Sequence, residues 1–231
     1  MNCRAFFILK EHLMTALIGK KFEDSLLIMA DKRITYRGTE KFSDDEKKIM
    51  VLNPKVIFAF AGVKNVIDLP LEELKTLARK TNSLEEIEAH AKKLFLASLN
   101  VFKKLNPEQE FATVYILAGF AANGIPRVTY FSSDDDFQTG NLLEFFYKTF
   151  PNTEMEFLRN YLIKEVDSSK KNIKYYIRKF SSAIRRINNV KVGKSAYAIF
   201  LTKNGLLEIE INEQGKFNMV PISIHSSVNL L

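Results

Sequence analysis

The residues best suited to chemistry are Thr15 and, after a short apolar run, Asp31 followed by the cations Lys32 and Arg33. A threonine hydroxyl is a weak nucleophile unless a base lies beside it, and a threonine that begins its chain can use its own α-amine as that base. Met14 precedes Thr15 in this sequence. Amine-assisted catalysis by Thr15 therefore requires a mature chain that starts at this residue.

Short strands are expected to position these groups. Residues 15–21 and 25–32 predict a hairpin, and because its second strand is almost entirely apolar we expect that strand to be buried on both faces. Residues 47–52 and 56–62 predict a second strand pair around the turn dipeptide Asn53-Pro54. Four short strands so close together predict a sheet.

The hydrophobic period becomes helical after Gly62. Ser83 and Glu86 form a capping box at the start of a long predicted helix that ends before Pro107. The remaining expectations, in chain order, are a helix after Pro70, strands at 111–121 and 127–131, a short helix over 141–150 stopped by Pro151, a helix capped by Thr153 to Glu156, a helix over 173–187, and strands at 197–202, 206–211 and 217–224.

This order of elements predicts an α+β fold, specifically a four-layer αββα sandwich in which two antiparallel sheets lie between helix pairs. Periodicity alone supports only α+β, and the layers are suggested by the order of strands and helices. No low-complexity linker or fixed-period repeat divides the chain. We therefore expect residues 15–231 to form a single domain, with residues 1–14 as a leader or a mis-assigned start.

Composition argues against several classes of function. With 46% hydrophobic residues, the 231-residue chain can bury a full core without disulfides or metal. Cys3 is its one cysteine and its three histidines are scattered, so we expect no metal and no other cofactor. The first 13 residues resemble neither a signal peptide nor a spanning helix, which favours a soluble, cytoplasmic protein with no membrane attachment.

The formal net charge of +7 suggests nucleic-acid binding as a hypothesis, because a phosphate-binding face gathers Lys and Arg. However, the cations are mostly interleaved with acids along the chain, and the densest cluster lies within residues 170–186 on one predicted helix. Such a pattern is typical of a solvated or subunit-facing helix surface. We therefore expect no nucleic-acid partner.

The chain resembles a proteasome β-type subunit at four places, namely Thr15, the run Ala30 to Thr35, the run Lys47 to Ile49 and the run Phe60 to Gly62. The chain is also similar to the proteolytic subunit of the bacterial ATP-dependent protease. Thr15 and Asp31 are sixteen residues apart, Asp31 and Lys48 seventeen, and Lys48 and Gly62 fourteen, in the order that the family shows. This motif-level resemblance covers residues 15 to about 63 and implies an N-terminal-nucleophile hydrolase fold.

The resemblance implies a role for each matching residue. Thr15 would supply Oγ as nucleophile and, once free, its amine as proton acceptor. Lys48 would lower the pKa of that hydroxyl, and Asp31 would orient the lysine. Gly62 would donate its backbone N–H to the oxyanion, and the backbone of Thr35 would hold an extended peptide as an added strand.

Lys47 is the alternative to Lys48, but it would point to the opposite face of a strand. Two later regions depart from the family pattern. A Gly-Ser-Gly-Ser-like turn is replaced here by Phe150-Pro151-Asn152-Thr153, and the segment Val190 to Ser195 lacks the aspartate that the family places near the end of its last helix. The residues expected to contact substrate are present, and those expected to support them differ.

The leading functional hypothesis is a threonine peptidase that cleaves polypeptides inside a ring-shaped homo-oligomer, with an ATPase unfoldase as a candidate partner. A non-catalytic or regulatory subunit with Thr15 capped is the first alternative, and an N-terminal-nucleophile amidase or transpeptidase is the second. If translation began at Met14, removal of that methionine would expose Thr15 without any propeptide. A basic nucleic-acid module has only net charge in its favour.

Overall fold

A computed structural model describes residues 11–12, 15–36, 41–62, 66–108, 112–142, 144–150 and 152–222. The strands are β1 Glu11–His12, β2 Thr15–Lys21, β3 Ser25–Asp31, β4 Ile34–Tyr36, β5 Phe42–Ser43, β6 Ile49–Asn53, β7 Val56–Gly62, β8 Thr113–Phe120, β9 Pro126–Ser132, β10 Thr139–Asn141, β11 Phe145–Phe150, β12 Ala196–Thr202, β13 Gly205–Ile211 and β14 Phe217–Ile222. The helices are α1 Asp68–Ala78, α2 Leu84–Leu105, α3 Met155–Glu165 and α4 Ile173–Arg186.

Two large antiparallel sheets form the centre of the described structure. The five-stranded sheet has the order β10-β9-β8-β7-β6, and the six-stranded sheet has the order β11-β2-β3-β12-β13-β14. A small third sheet has the order β1-β4-β5. The strand that begins at Thr15 therefore lies inside the six-stranded sheet, with β11 on one side and β3 on the other.

Three hydrophobic clusters separate four layers. The first packs α1 and α2 on the outer face of the five-stranded sheet, where Phe95 of α2 contacts Tyr115 and Phe131. The second lies between the two sheets, and the third packs α3 and α4 on the outer face of the six-stranded sheet. The predicted αββα sandwich is thereby confirmed.

Strand β3 is buried at every one of its seven positions, as its apolar sequence predicts. One face contacts the helix layer through Leu27 and Met29, and the other contacts the opposite sheet through Leu26 and Ile28. Because both faces are covered, the strand has no freedom to slip in register, and its last residue, Asp31, is held at a fixed position.

The predicted start of α2 is confirmed. The Ser83 hydroxyl accepts a hydrogen bond of 3.2 Å from the backbone N–H of Glu86, and acidic residues occupy the first turn. The helix ends at Leu105, before Pro107 as expected. This helix covers the five-stranded sheet, in which Gly62 ends β7 and Lys48 directly precedes β6.

Two sequence predictions were wrong. Residues 145–150 form strand β11 and not a helix, because they pair antiparallel with β2 from Phe145 opposite Lys20 to Phe150 opposite Thr15. Thr153 does not cap α3, because residues 152–154 form a 3-10 turn and the helix begins at Met155 without a side-chain cap. Strands β1, β4, β5 and β10 were not predicted, and residues 223–224 of the last predicted strand lie outside the described residues.

None of the helices in the described ranges is long and apolar enough to cross a membrane. Helix α4 is instead amphipathic, with Tyr176, Phe180 and Ile184 buried against the six-stranded sheet.

Gly19 tests the register that places Thr15 beside Phe150. Gly19 lies opposite Phe146, and a Cβ added at Gly19 would enter the Phe146 ring, which is only 5% exposed. Gly19→Ala should lower the free energy of unfolding by about 1–3 kcal/mol, because overpacking outweighs the gain of roughly 0.4–1 kcal/mol from a stiffer unfolded chain. Urea unfolding followed by circular dichroism measures the change.

The double variant Gly19→Ala/Phe146→Leu is the control, because the smaller side chain leaves room for the new methyl group. We expect the double variant to lose less free energy of unfolding than the sum of the losses measured for Gly19→Ala and Phe146→Leu alone. If the two losses of stability were additive, or if Gly19→Ala lost no stability, the close contact between Gly19 of β2 and Phe146 of β11 would be contradicted.

Candidate active site

Asp31 is fully buried and is the centre of a hydrogen-bond network. Its Oδ1 accepts from the backbone N–H of Ala16 at 2.8 Å and from Lys48 Nζ at 2.9 Å. Its Oδ2 accepts from the backbone N–H groups of Arg33 at 3.1 Å and Gly193 at 3.0 Å. A single carboxylate thus connects four parts of the chain: the start of β2, the end of β3, the residue before β6 and the loop before β12.

Lys48 reaches Asp31 from the other sheet. It precedes β6, and its carbonyl accepts a hydrogen bond of 3.0 Å from the N–H of Phe60 in β7, which fixes the direction of its side chain. Both side chains of the Lys48–Asp31 pair are 0% exposed. Burial lowers the pKa of the Lys48 ammonium below its ordinary value of 10.5, and the negative charge of Asp31 opposes that change.

The choice between the two adjacent lysines is settled by contact geometry. Lys47 is half-exposed and forms an ion pair with Glu208 on β13, away from Asp31. Its ammonium also lies 4.6 Å from the ring centre of Tyr197. Of the two, Lys48 is therefore the one that contacts the predicted acid, as the strand alternation implied.

Thr15 begins β2 and is completely buried. Its Oγ1 has no hydrogen-bond partner within the described residues, which is unusual for a buried hydroxyl and costs about 1–3 kcal/mol. The next residue, Ala16, is anchored to Asp31 through its N–H. The predicted nucleophile is therefore one residue from the charged pair and carries an unused polar atom.

Gly62 ends β7 two residues after Phe60, the strand neighbour of Lys48. Two residues of strand span about 7 Å, so Gly62 lies close to the same end of the sheets as Lys48. Its φ of +119° favours glycine, and an added Cβ would lie 2.6 Å from Thr113 Cα. The backbone geometry therefore explains this glycine whether or not its N–H binds an oxyanion.

Thr35 lies in β4, four residues after Asp31. Its backbone pairs with Phe42 of β5 on one side and with His12 of β1 on the other. Both edges of this short strand are therefore occupied in the 231-residue chain. Thr35 therefore lies in the central strand of the small third sheet, and that strand begins at Ile34, three residues after Asp31.

Sequence reasoning missed the structural roles of Arg33 and Gly193. The Arg33 guanidinium binds the Asp44 carboxylate through Nε at 2.7 Å and Nη2 at 2.6 Å, and Nη1 donates to the Val190 carbonyl at 2.6 Å. The hydrogen bond to Asp44 raises the pKa of Arg33. Arg33 thereby holds the 190–193 loop beside Asp31, where Gly193 donates its N–H.

A carboxylate does lie near the segment in which the family aspartate is missing. Glu154, at the start of α3, accepts a hydrogen bond of 3.3 Å from Asn189 Nδ2. The same loop carries Lys194, whose pKa is lowered by burial and by the charge of Arg33. Glu154 therefore bonds to Asn189, the residue before the segment that lacks the family aspartate.

The arrangement is suited to activating a hydroxyl without a metal. Among the described residues, no group of three or more His, Cys, Asp and Glu could hold a metal ion. A buried ammonium near a hydroxyl stabilises the corresponding alkoxide, and Asp31 fixes the position of that ammonium. Asp31 and Lys48 thus meet between the two sheets, and Asp31 also accepts from the N–H of Ala16, the residue after Thr15.

The sequence was also compared with known proteins. A sequence model of a family described as "Proteasome subunit" matches residues 13–135, which is more than half of the chain. The match includes Thr15, Asp31, Lys48 and Gly62 and extends through β9. A search of individually curated proteins found no match.

Asp31→Asn tests the charged pair. Loss of the carboxylate charge should lower the Lys48 pKa further, since desolvation would then act almost unopposed. It should also reduce the free energy of unfolding by about 3–5 kcal/mol, because Lys48 would remain buried without its counter-charge. A pH titration of the lysine 13Cε resonances and a thermal unfolding curve measure the two effects.

The sign of the pH effect follows from proton binding. Between the lowered Lys48 pKa and 10.5, the unfolded chain binds more protons at this lysine than the folded one, so this group makes folding more favourable as pH rises. Asp24→Asn, on an exposed turn, is the control and should leave both measurements unchanged. An unaltered Lys48 titration in Asp31→Asn would contradict the assigned ion pair.

Proposed function

Because the chain belongs to the proteasome subunit family, we propose that it is a threonine-type peptidase that hydrolyses peptide bonds with Thr15 as the N-terminal nucleophile. Members of this family assemble into oligomeric rings, which supports an oligomeric state for this chain as well. In the proposal, the assembly is a homo-oligomeric ring that encloses the site and admits polypeptides in extended form.

One observation carries the proposal. The buried Lys48–Asp31 pair is anchored to the N–H of Ala16, the residue after Thr15, and the buried Thr15 hydroxyl has no hydrogen-bond partner among the described residues. A structural ion pair needs no such hydroxyl, and a structural threonine at a strand start normally satisfies its oxygen. Unused buried polar atoms next to a perturbed titratable group are a feature of reactive sites.

The proposed reaction begins when Thr15 Oγ attacks the carbonyl carbon of the scissile peptide. The hydroxyl proton passes to the free α-amine of Thr15, whose ordinary pKa of about 7.7–8.0 suits it to accept a proton near neutral pH. Lys48 stabilises the developing alkoxide, and Asp31 keeps the ammonium in place. Gly62 N–H would donate to the tetrahedral oxyanion, an interaction typically worth about 10²–10³ in rate.

Collapse of the tetrahedral intermediate breaks the C–N bond. The leaving amine takes the proton from the Thr15 ammonium, and an acyl ester on Thr15 Oγ remains. Water, deprotonated by the same amine, then attacks the ester carbonyl and releases the acid and the hydroxyl. Thr35 would bind the substrate backbone during both steps.

The proposal also includes a cytoplasmic location, a ring assembly and an ATPase partner. A cytoplasmic site of action fits a chain whose single cysteine, Cys3, can form no internal disulfide. An ATPase unfoldase is the candidate partner, because a closed ring would exclude folded proteins. Sedimentation velocity of the purified protein would test the ring, and a monomer at micromolar concentration would contradict it.

A second function is favoured by one specific observation. In the 231-residue chain, Met14 is bonded to Thr15, so the Thr15 nitrogen is an amide and cannot accept a proton. A chain that keeps this bond would be a non-catalytic ring subunit. Intact-mass measurement of the protein isolated from its native source distinguishes the two functions, since only a chain that starts at Thr15 has the required amine.

Thr15→Ala tests the nucleophile. We expect hydrolysis of fluorogenic peptides to fall by at least about 10³-fold, because no other group in the proposal can form the acyl ester. A peptide epoxyketone should add one inhibitor mass to the processed wild-type chain and none to the variant. Thr76→Ala is the matched control, since Thr76 is exposed on α1 and its hydroxyl bonds only within that helix.

Equal hydrolysis by Thr15→Ala and wild type would exclude this site as the catalytic one. A processed wild-type chain that neither cleaves peptides nor gains inhibitor mass would instead support the non-catalytic subunit.

A further inference from the structure

We propose that Thr113 is a positioning residue for the candidate oxyanion donor, because its hydroxyl holds the peptide unit that carries the Gly62 N–H. The inference rests on the proposed function in one respect, namely that this N–H binds the oxyanion during hydrolysis. Thr113 is the first residue of β8, and in the proposal it acts through Gly62 and not on the reacting atoms.

The hydrogen bond itself is the first observation. Thr113 Oγ1 donates to the Ala61 carbonyl at 3.1 Å, and the bond is buried. The Ala61 carbonyl and the Gly62 N–H belong to one planar peptide unit, and in a trans peptide the two groups point in opposite directions. A donor that holds the carbonyl therefore also sets the direction of the N–H.

The strand order shows where that N–H points. Strand β7 lies between β8 and β6, and the Ala61 carbonyl points towards β8, where it accepts from Thr113. The Gly62 N–H consequently points away from β8, to the side of β6. The N–H of Phe60, two residues earlier in the strand, points to the same side and donates to the Lys48 carbonyl at 3.0 Å. The candidate oxyanion donor is thus directed to the side of β7 on which Lys48 lies.

Packing leaves the Thr113 hydroxyl little freedom to turn elsewhere. Thr113 is only 1% exposed, and its backbone N–H donates to Ser133 Oγ at 2.9 Å, which holds the residue from the turn after β9. A Cβ added at Gly62 would lie 2.8 Å from Thr113 Oγ1, so the hydroxyl approaches the glycine closely. Because a β-branched side chain is stiff at χ1, this hydroxyl keeps its direction.

The backbone of Gly62 explains why its N–H benefits from such a restraint. Gly62 has φ +119°, and a glycine has no side chain to limit rotation about its backbone bonds. The peptide unit before it can therefore reorient more easily than one between two larger residues. A hydrogen bond to the carbonyl of this unit opposes reorientation, and it also polarises the peptide so that the N–H becomes a stronger donor.

A purely structural threonine would also bond its buried hydroxyl to a carbonyl, so the test needs measurements that a structural role would not change. Thr113→Val removes the hydroxyl and nearly keeps the shape, and Thr113→Ser keeps the hydroxyl and serves as the conservative control. The first measurement is made on the full 231-residue chain by NMR. The second is made on the chain that starts at Thr15, with its length verified by intact mass.

Selective labelling makes the NMR measurement specific. With 13C′-alanine and 15N-glycine, only Ala-Gly pairs give a signal, and the sequence has two, Ala61-Gly62 and Ala118-Gly119. The second pair lies at the other end of β8 and is the internal control. Thr113→Val should displace the Ala61-Gly62 signal further than Thr113→Ser does and leave the control signal in place. An equal displacement in the two variants would overturn the assigned hydrogen bond.

Hydrolysis of a fluorogenic peptide by the chain that starts at Thr15 tests the positioning role. Loss of an oxyanion donor typically costs about 10²–10³ in rate, and a misdirected donor loses part of that. Thr113→Val should therefore lower kcat by about 10-fold or more at an unchanged KM, because the interaction is made in the transition state. Thr113→Ser should retain at least about half of the wild-type kcat. A wild-type kcat in Thr113→Val would overturn the positioning role.

The Ala118-Gly119 signal also reports whether Thr113→Val is folded. If that signal moves to its unfolded position, Thr113→Ala replaces the valine variant, and the same displacement and loss of kcat are then required. If the wild-type chain hydrolyses no peptide, the proposed function fails and the oxyanion role fails with it, whereas a displaced Ala61-Gly62 signal still supports the fixed direction of the N–H. The two failures are therefore distinguishable.

Discussion

The ion pair between Asp31 and Lys48 constrains the structure around it because both groups are completely buried. Removing a carboxylate and an ammonium from water costs several kcal/mol for each ion, and their attraction offsets this only when the other hydrogen bonds are also made. Asp31 satisfies that condition with the backbone N–H groups of Ala16, Arg33 and Gly193. Four separate segments must therefore keep their relative positions for the pair to exist.

The layered architecture supplies this rigidity. Asp31 ends a strand of the six-stranded sheet, whereas Lys48 belongs to the segment that enters the five-stranded sheet, so the pair bridges the two layers. Helices cover the outer face of each sheet, and the apolar residues between the sheets exclude water. Thr15 precedes Ala16, whose N–H is bound by this bridge, and within the described part of the chain the Thr15 hydroxyl has no hydrogen-bond partner. The architecture thus places a buried threonine hydroxyl one residue from the N–H that anchors a buried ion pair.

Residues before Thr15 bear on the same junction in two independent ways. The peptide bond from Met14 makes the Thr15 nitrogen an amide, and the pairing of His12 with Thr35 fills an edge of β4. Both observations concern the segment that precedes Thr15.

Local sequence was sufficient to predict the strands and helices in which apolar residues recur at a regular spacing or form an uninterrupted buried run. The apolar run before Asp31 predicts a buried strand, and Ser83 with Glu86 predicts a capped helix; both are confirmed. Residues 145–150 were assigned the wrong state, because their mixture of aromatic and polar residues gains its strand character from pairing with β2, which no local pattern encodes. The unpredicted strand β4 likewise exists through its partners β1 and β5.

For the candidate site, the sequence by itself determined the residue types and their spacing: a threonine, an aspartate, a lysine and a glycine at intervals that match one family. Strand alternation favoured Lys48 over Lys47, and the tertiary structure shows that Lys48 meets Asp31 whereas Lys47 pairs with Glu208. Tertiary structure also brought Gly193, 162 positions away in the sequence, to donate its N–H to Asp31. Arg33 holds the same loop by donating to the Val190 carbonyl. Hydrogen bonds between distant segments depend on how sheets stack, and stacking is a property of the packed chain as a whole.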